Sequence, residues 1–176
     1  MAEERKIDQC DVCGGAEFLM KYRDNGLHSD IVERRDCGFV FSNPQIEKDY
    51  KNNKKYVEHH LKAEAGRRLT DRWRLSHIPT KGGRLLEIGC SIGLFLDEAR
   101  HAGFDVAGLE LNEDARKYAE GNLGLEVLGE DLFEAKFEGR FDVVALFNVL
   151  EHVPCRSEFL THIAEKPPDG AGHNSD

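Results

Sequence analysis

Three acidic residues stand beside turns in the second half of the chain: Glu87 in Leu85-Leu-Glu-Ile-Gly89-Cys-Ser-Ile-Gly93, Glu110 in Val106-Ala-Gly-Leu-Glu110, and Asp131 in Gly129-Glu-Asp131. A carboxylate where an apolar run collapses into a glycine-bracketed turn repels a pyrophosphate but can hold an ammonium group. Gly89 and Gly93 remove the Cβ atoms that would keep a ligand off the backbone, so that N–H groups and a helix start face it. An acid 21 residues past Gly89 is placed to accept hydrogen bonds from both hydroxyls of a ribose. Glu151-His152 sets an acid beside the side chain that titrates near neutrality, a pair suited to proton abstraction or simply the start of a helix. Near the other end, Cys10-Asp-Val-Cys13-Gly-Gly spaces two thiols as in a zinc knuckle, and Cys37-Gly38 supplies a third.

These residues need particular elements to position them. Leu85, Leu86 and Ile88 predict a short buried strand, and Leu94, Phe95, Leu96 and Ala99 the apolar face of a following helix. Phe104–Glu110 reads as a second strand. Asn112 caps a helix through Ala115, Tyr118 and Ala119 that is expected to stop at Gly121-Asn122. Leu125–Leu128 reads as a third strand, and Arg140–Asn148 as a fourth whose unbroken apolar run suits a parallel strand covered on both faces. The succession predicts an α/β fold with a Rossmann-like, doubly wound parallel sheet whose turns collect at the carboxyl ends of the strands.

The stretch Glu87-x-Gly89-x-Ser91-x-Gly93 resembles motif I of the class I S-adenosylmethionine-dependent methyltransferases, with Ser91 in place of the central glycine. Serine keeps such a turn if its φ is negative. The resemblance implies S-adenosylmethionine as cofactor, with Glu87, Gly89, Cys90, Ser91 and Gly93 around it and Glu110 and Leu111 on its ribose side. It also implies Asp131 accepting from the adenine amino group, Leu132 donating its backbone N–H to the ring, and Asn148 at the end of strand four. Phe141-Asp-Val-Val leading to Glu151-His152 resembles the strand-four end of the same enzymes, where the pair is a candidate catalytic acid–base. Its sulfonium makes the methyl group electrophilic, so the protein must mainly align a nucleophile and exclude water.

Residues 1–44 resemble the small zinc-binding module that precedes some methyltransferase domains, including sugar C-methyltransferases, where two Cys-x-x-Cys knuckles are usual. Arg34 stands where the fourth cysteine is expected. Cys10, Cys13 and Cys37 therefore leave a tetrahedral ion one ligand short, unless His28 supplies a nitrogen. Zinc, a metal-free remnant of the module, and redox chemistry at Cys10 and Cys13 all stay open.

Residues 45–80 read as linker helices, with Tyr50, Tyr56, Val57, Leu61, Ala65, Leu69, Trp73 and Leu75 recurring at intervals that mostly suit one helix face. Tyr50, Tyr56 and Trp73 could cap a cofactor pocket or simply pack on the sheet, and His59-His60 reads as a solvated face. Residues 81–166 read as a partial S-adenosylmethionine-binding methyltransferase domain, as the resemblance implies. Ala164–Asp176 reads as a disordered end, the domain boundary proper being set at 167–176. Four strands are expected where the resembled core has seven, which leaves the edge of strand four open to a second copy or a partner chain.

The chain of 176 residues carries a formal charge of −9, very unevenly. Residues 1–80 hold 15 Lys and Arg against 14 Asp and Glu, whereas residues 81–176 hold 9 against 19. An acidic half bearing the glycine turn argues against a nucleic-acid partner and for a small-molecule substrate. No apolar run approaches about 18 residues and the start is charged, so neither membrane span nor signal peptide is expected. A cytoplasmic protein with reduced cysteines follows as the expectation. Three classes of function fit: a methyltransferase acting on a small molecule such as a sugar, a non-catalytic S-adenosylmethionine-binding or interaction protein, and a nucleotide-dependent oxidoreductase.

Overall fold

The computed structural model describes residues 3–23, 29–47 and 55–165. His28, Tyr50 and the tail 167–176 lie outside the described residues. Two compact units are present, Met1–Asp49 with Asn148–His162, and Tyr50–Phe147 with Ile163–Asp176.

The first unit is built from short antiparallel pairs. Strand β1 (Glu3–Arg5) pairs with β5 (Gln45–Glu47), and β2 (Phe18–Tyr22), β3 (Asp30–Arg34) and β4 (Val40–Asn43) form a meander. Phe18 meets Phe41 edge-on at 5.5 Å, and Phe39 stacks on Phe41 at 5.4 Å. Two glycine turns, at 10–15 and 34–39, carry the cysteines. A 3₁₀ turn, Leu150–His152, and helix α5 (Arg156–Glu165) as far as His162 complete the unit. The Asp11 carboxylate accepts from the backbone N–H of Arg156 at 2.7 Å, satisfying an N–H that the first turn of a helix cannot pair internally.

The second unit holds a four-stranded parallel sheet in the order β8 (Val127–Leu128), β7 (Phe104–Leu109), β6 (Gly83–Ile88), β9 (Val143–Leu146). Leu85, Leu86, Glu87 and Ile88 are all buried, so β6 is covered on both faces. Helix α3 (Leu94–His101) contributes Phe95, Leu96 and Ala99 to the main core, with Leu85, Phe104, Leu125 and Val127. Gly93 enters this helix at φ +81, and a Cβ there would stand 2.5 Å from Leu125 Cδ1, so backbone shape and space both require glycine.

Several boundaries differ from expectation. Helix α4 (Glu113–Leu123) runs past Gly121-Asn122 and ends on Gly124 in the left-handed region, because Gly121 has helical neighbours that pack and Gly124 is where the turn must reverse. Its start is as expected, with Asn112 Oδ1 accepting from Ala115 N–H at 2.9 Å. The third and fourth strands shrink to Val127–Leu128 and Val143–Leu146, the stretches that find a partner in register. Ala164 and Glu165 belong to helix α5 rather than to the tail.

The linker is two helices, α1 (Tyr56–Lys62) and α2 (Glu64–Ser76). Tyr56, Val57, Leu61 and Leu75 pack against the core as expected, but Leu69 and Trp73 are exposed at 66% and 64%, so the apolar face is interrupted on α2. Helix α2 turns charges inward instead. Arg68 bridges Asp97 at 2.8 Å and Glu98 at 2.9 Å on α3, and Arg72 reaches Glu98 at 2.7 Å. Among the described residues no helix is long and apolar enough to cross a membrane.

Candidate functional site

Glu87, the penultimate residue of β6, is buried with its Oε2 unpartnered. Burial first, and then the nearby Asp71 carboxylate, push its pKa well above the usual value, while Arg74 opposes them. Arg74 is already engaged, pairing with Asp71 at 2.8 Å and lying 3.9 Å over the Phe147 ring. Glu87 is therefore a buried acid lacking a close cation, which an ammonium group would supply.

The turn that follows is tied to the neighbouring strand tip. Gly89 and Cys90 N–H groups both donate to Leu109 O, at 2.7 and 3.0 Å. Ser91 sits at φ +55, in the left-handed region, so the expectation of a negative φ is overturned. Its backbone N–H donates to Glu110 Oε2 at 2.8 Å, and its Oγ lies 2.9 Å from His60 Nδ1 on α1. These two contacts hold a conformation that costs a non-glycine residue roughly 1–2 kcal/mol. Cys90 packs inward, its thiol pKa raised by burial, and is a core residue lining the turn from behind.

Glu110 follows β7 directly and is 7% exposed. Its two oxygens accept one backbone N–H each, from Asn112 and Ser91, both at 2.8 Å. A carboxylate accepts about four hydrogen bonds, so capacity for two hydroxyls remains. Leu111 is half-buried beside it.

Helices α1 and α2 add residues that the sequence did not assign. The Tyr56 and His60 rings meet at 4.3 Å, tilted by 39°, and Tyr56 packs against the cluster of Ile92 in the turn, Leu94 on α3 and Ala115 on α4. His60 is thus half-buried on the turn and not part of a solvated face, whereas His59 is exposed. Burial, then Arg67 and His59, lower the His60 pKa to about 4, so the ring is neutral near pH 7. Arg67 has a buried Nε with no partner and lies near His60 and Tyr56. The i, i+4 spacing of Tyr56 and His60 was the available signal; their tertiary partner, Ser91, was not visible in it.

Asp131 is exposed, and its Oδ1 accepts from Phe133 N–H at 3.0 Å, closing a turn over the buried Leu132. Asn148, Glu151 and His152 belong to the first unit and are exposed, with Asn148 at φ +57.

In the first unit, one sulfur from each of Cys10, Cys13 and Cys37 lies within 4.8 Å of the other two. Cys10 Sγ and Cys37 Sγ are 3.8 Å apart. A Zn–S distance of about 2.3 Å sets two sulfurs of a tetrahedral ion roughly 3.8 Å apart, so this edge fits zinc. The Cys13 thiol is lowered to about 7, by the Gly15 backbone first and then by Cys37, with Arg34 adding to the effect.

Residues 57–173 match a family model described as a methyltransferase domain. A ubiquinone biosynthesis O-methyltransferase of Thiobacillus denitrificans is 32% identical over 90 residues, 47% of this chain and 39% of that protein. One from Aromatoleum aromaticum is 36% identical over 80 residues, 42% of this chain and 34% of the relative. The chain thus spans about two-fifths or less of the length of these curated relatives. A Methanococcus maripaludis structure named as an S-adenosyl-L-methionine-dependent methyltransferase aligns with TM-score 0.57 at 13% identity, over 70% of this chain and 63% of that one. A chain of the complex between the Haloferax volcanii Trm112 methyltransferase activator and a methyltransferase aligns with TM-score 0.58 at 16% identity, over 69% and 57%. At such identity the likeness is one of fold. With a parallel sheet, an acid-flanked glycine turn and a family match over residues 57–173, this chain belongs to the methyltransferase-domain family.

Proposed function

We propose that the chain carries the cofactor-binding part of an S-adenosylmethionine-dependent methyltransferase acting on a small molecule. The observation that carries this reading is the pair of opposite, unanswered buried groups beside the glycine turn, Glu87 Oε2 and Arg67 Nε. A free amino-acid end has one ammonium and one carboxylate, and it would answer both. Glu110 would take the ribose hydroxyls with its remaining lone pairs, and Asp131 and Leu132 the adenine edge, the former by releasing Phe133 N–H. Leu111, half-buried beside Glu110, would complete the cofactor's surroundings.

The relatives are named for O-methylation in ubiquinone biosynthesis, which favours an oxygen nucleophile over the sugar carbon expected from the N-terminal module. A hydroxyl acceptor loses a proton as it attacks, and we assign the acid–base role to Glu151 and His152, which follow β9 closely in the chain. Cys10, Cys13 and Cys37 are proposed to hold zinc, supported by their mutual distances.

Titration calorimetry with S-adenosylmethionine, its demethylated product and NAD tests the reading. Saturable one-to-one binding of the first two and none of NAD is expected; NAD binding alone would overturn it. A binder that never transfers the methyl group is the second reading, motivated by the short span of the relatives covered, and a transfer screen over phenols, catechols and keto sugars separates the two.

A further inference from the structure

The two glycine turns of the first unit are copies of one another. In the first, Cys10 N–H donates to Gly15 O at 2.8 Å and Gly14 N–H to Cys10 O at 2.7 Å, with Gly14 at φ +71. In the second, Arg34 N–H donates to Phe39 O at 2.8 Å and Gly38 N–H to Arg34 O at 2.8 Å, with Gly38 at φ +70. Cys13 in the first turn therefore corresponds to Cys37 in the second, and Cys10 to Arg34. Arg34 thus holds, by turn geometry and not only by sequence, the position that corresponds to Cys10, beside the thiol cluster.

A guanidinium has no lone pair and stays protonated, so Arg34 cannot ligate. It has nonetheless been accommodated closely. Its side chain is 4% exposed, and its guanidinium donates to Glu17 O and to the Asp36 carboxylate and lies beside Cys13. Its Nε is buried without a partner. A Cβ on Gly15 would stand 1.6 Å from Arg34 Nη2, so the first knuckle leaves room for this cation only because residue 15 is glycine. Asp36 is 67% exposed, so water screens it while the guanidinium remains against the sulfurs.

Three thiolates around one divalent ion carry a net charge of −1, which a buried cation beside them offsets. We propose that Cys10, Cys13 and Cys37 form an open three-thiolate zinc site, with Arg34 as its counter-charge and N–H donor and an exogenous ligand in the fourth position. This rests on the zinc reading above. Cys13 and Cys37 are exposed, so an exogenous ligand can reach the ion from solvent on their side, away from the buried Cys10. The Arg34 fork then orients a thiolate as outer hydrogen-bond donors orient metal ligands generally.

The test uses the full chain, purified without chelator. Zinc content and zinc X-ray absorption are measured on the wild type and on Arg34→Cys. The wild type should hold one zinc with three sulfurs and one lighter or halide neighbour. The variant should show four sulfurs and at least tenfold slower loss of zinc to a chelator. Failure of the wild type to hold zinc, or to give a thiolate charge-transfer band with cobalt(II), would sink the zinc reading itself. Zinc held by four sulfurs in the wild type would leave zinc standing and sink the role of Arg34. Should Arg34→Cys fail to fold, the wild-type coordination alone decides.

Discussion

Glu87 is a buried carboxyl group whose ionised form no close cation answers in the free protein. Because its folded pKa is raised above the free value of 4.5, the stability it contributes is fully present below that value and is lost as pH rises through the folded pKa. Glu87→Gln should therefore stabilise the chain, by about 1–2 kcal/mol, with a gain that grows with pH. It should weaken S-adenosylmethionine roughly tenfold or more, the worth of one charged contact. Urea unfolding across pH and calorimetry of the variant check both parts; loss of stability would show that Glu87 has a cationic partner. His60 has the opposite linkage. Its folded pKa of about 4 lies below the free value of 6.5, so its contribution is present above 6.5 and fades as pH falls toward 4. In His60→Ala the drop in melting temperature over that window should shrink, as followed by circular dichroism. Glu87 and Glu110 were legible in the sequence because an acid at a strand tip beside a glycine turn is a local pattern. Ser91 and His60 explain each other across 31 residues, and neither the positive φ nor the contact has a local signature.

At the scale of elements, α2 is attached to α3 by charge. Arg68 is 22% exposed, and its partners Asp97 and Glu98 are 8% and 9% exposed. Burial works against the Asp97 carboxylate, but Arg68 and Arg100 hold it below its ordinary range, and Arg72 first holds Glu98 below. Removing one member strands the others. Arg68→Ala should cost about 2–4 kcal/mol, more than a solvent-exposed pair would, while replacing the exposed Leu69 should cost little. Chemical denaturation of the two variants decides, and near-equal losses would argue that α2 is held by apolar packing. This attachment was hidden because Arg67-Arg68-Leu-Thr-Asp71-Arg-Trp-Arg74 reads as a solvated helix by composition. The parallel strands were legible, since their apolar runs exceed what a half-exposed strand tolerates, but their ends are fixed by partners and not by residue type.

For the whole molecule, the outer edge of β9 has no strand partner among the described residues. Beside it a groove of about 490 Å³ is lined by Trp73, Arg74, His77 and the β9 side chains. Open apolar edges pair with further chains. The polypeptide of 176 residues should accordingly self-associate with rising concentration, and Val144→Lys should reduce this in sedimentation velocity. Equal association of both would place the contact elsewhere.

The Asp11 cap on α5 joins residues 145 positions apart in the chain. A ribosome delivers Tyr50–Phe147 before residue 156 exists, so the parallel sheet can condense on the nascent chain while the cysteine turns still wait for their closing helix. Residues 10–15 precede the sheet in the chain and yet are then among the last to finish folding, and their thiols stay open to metal or oxidant for that interval.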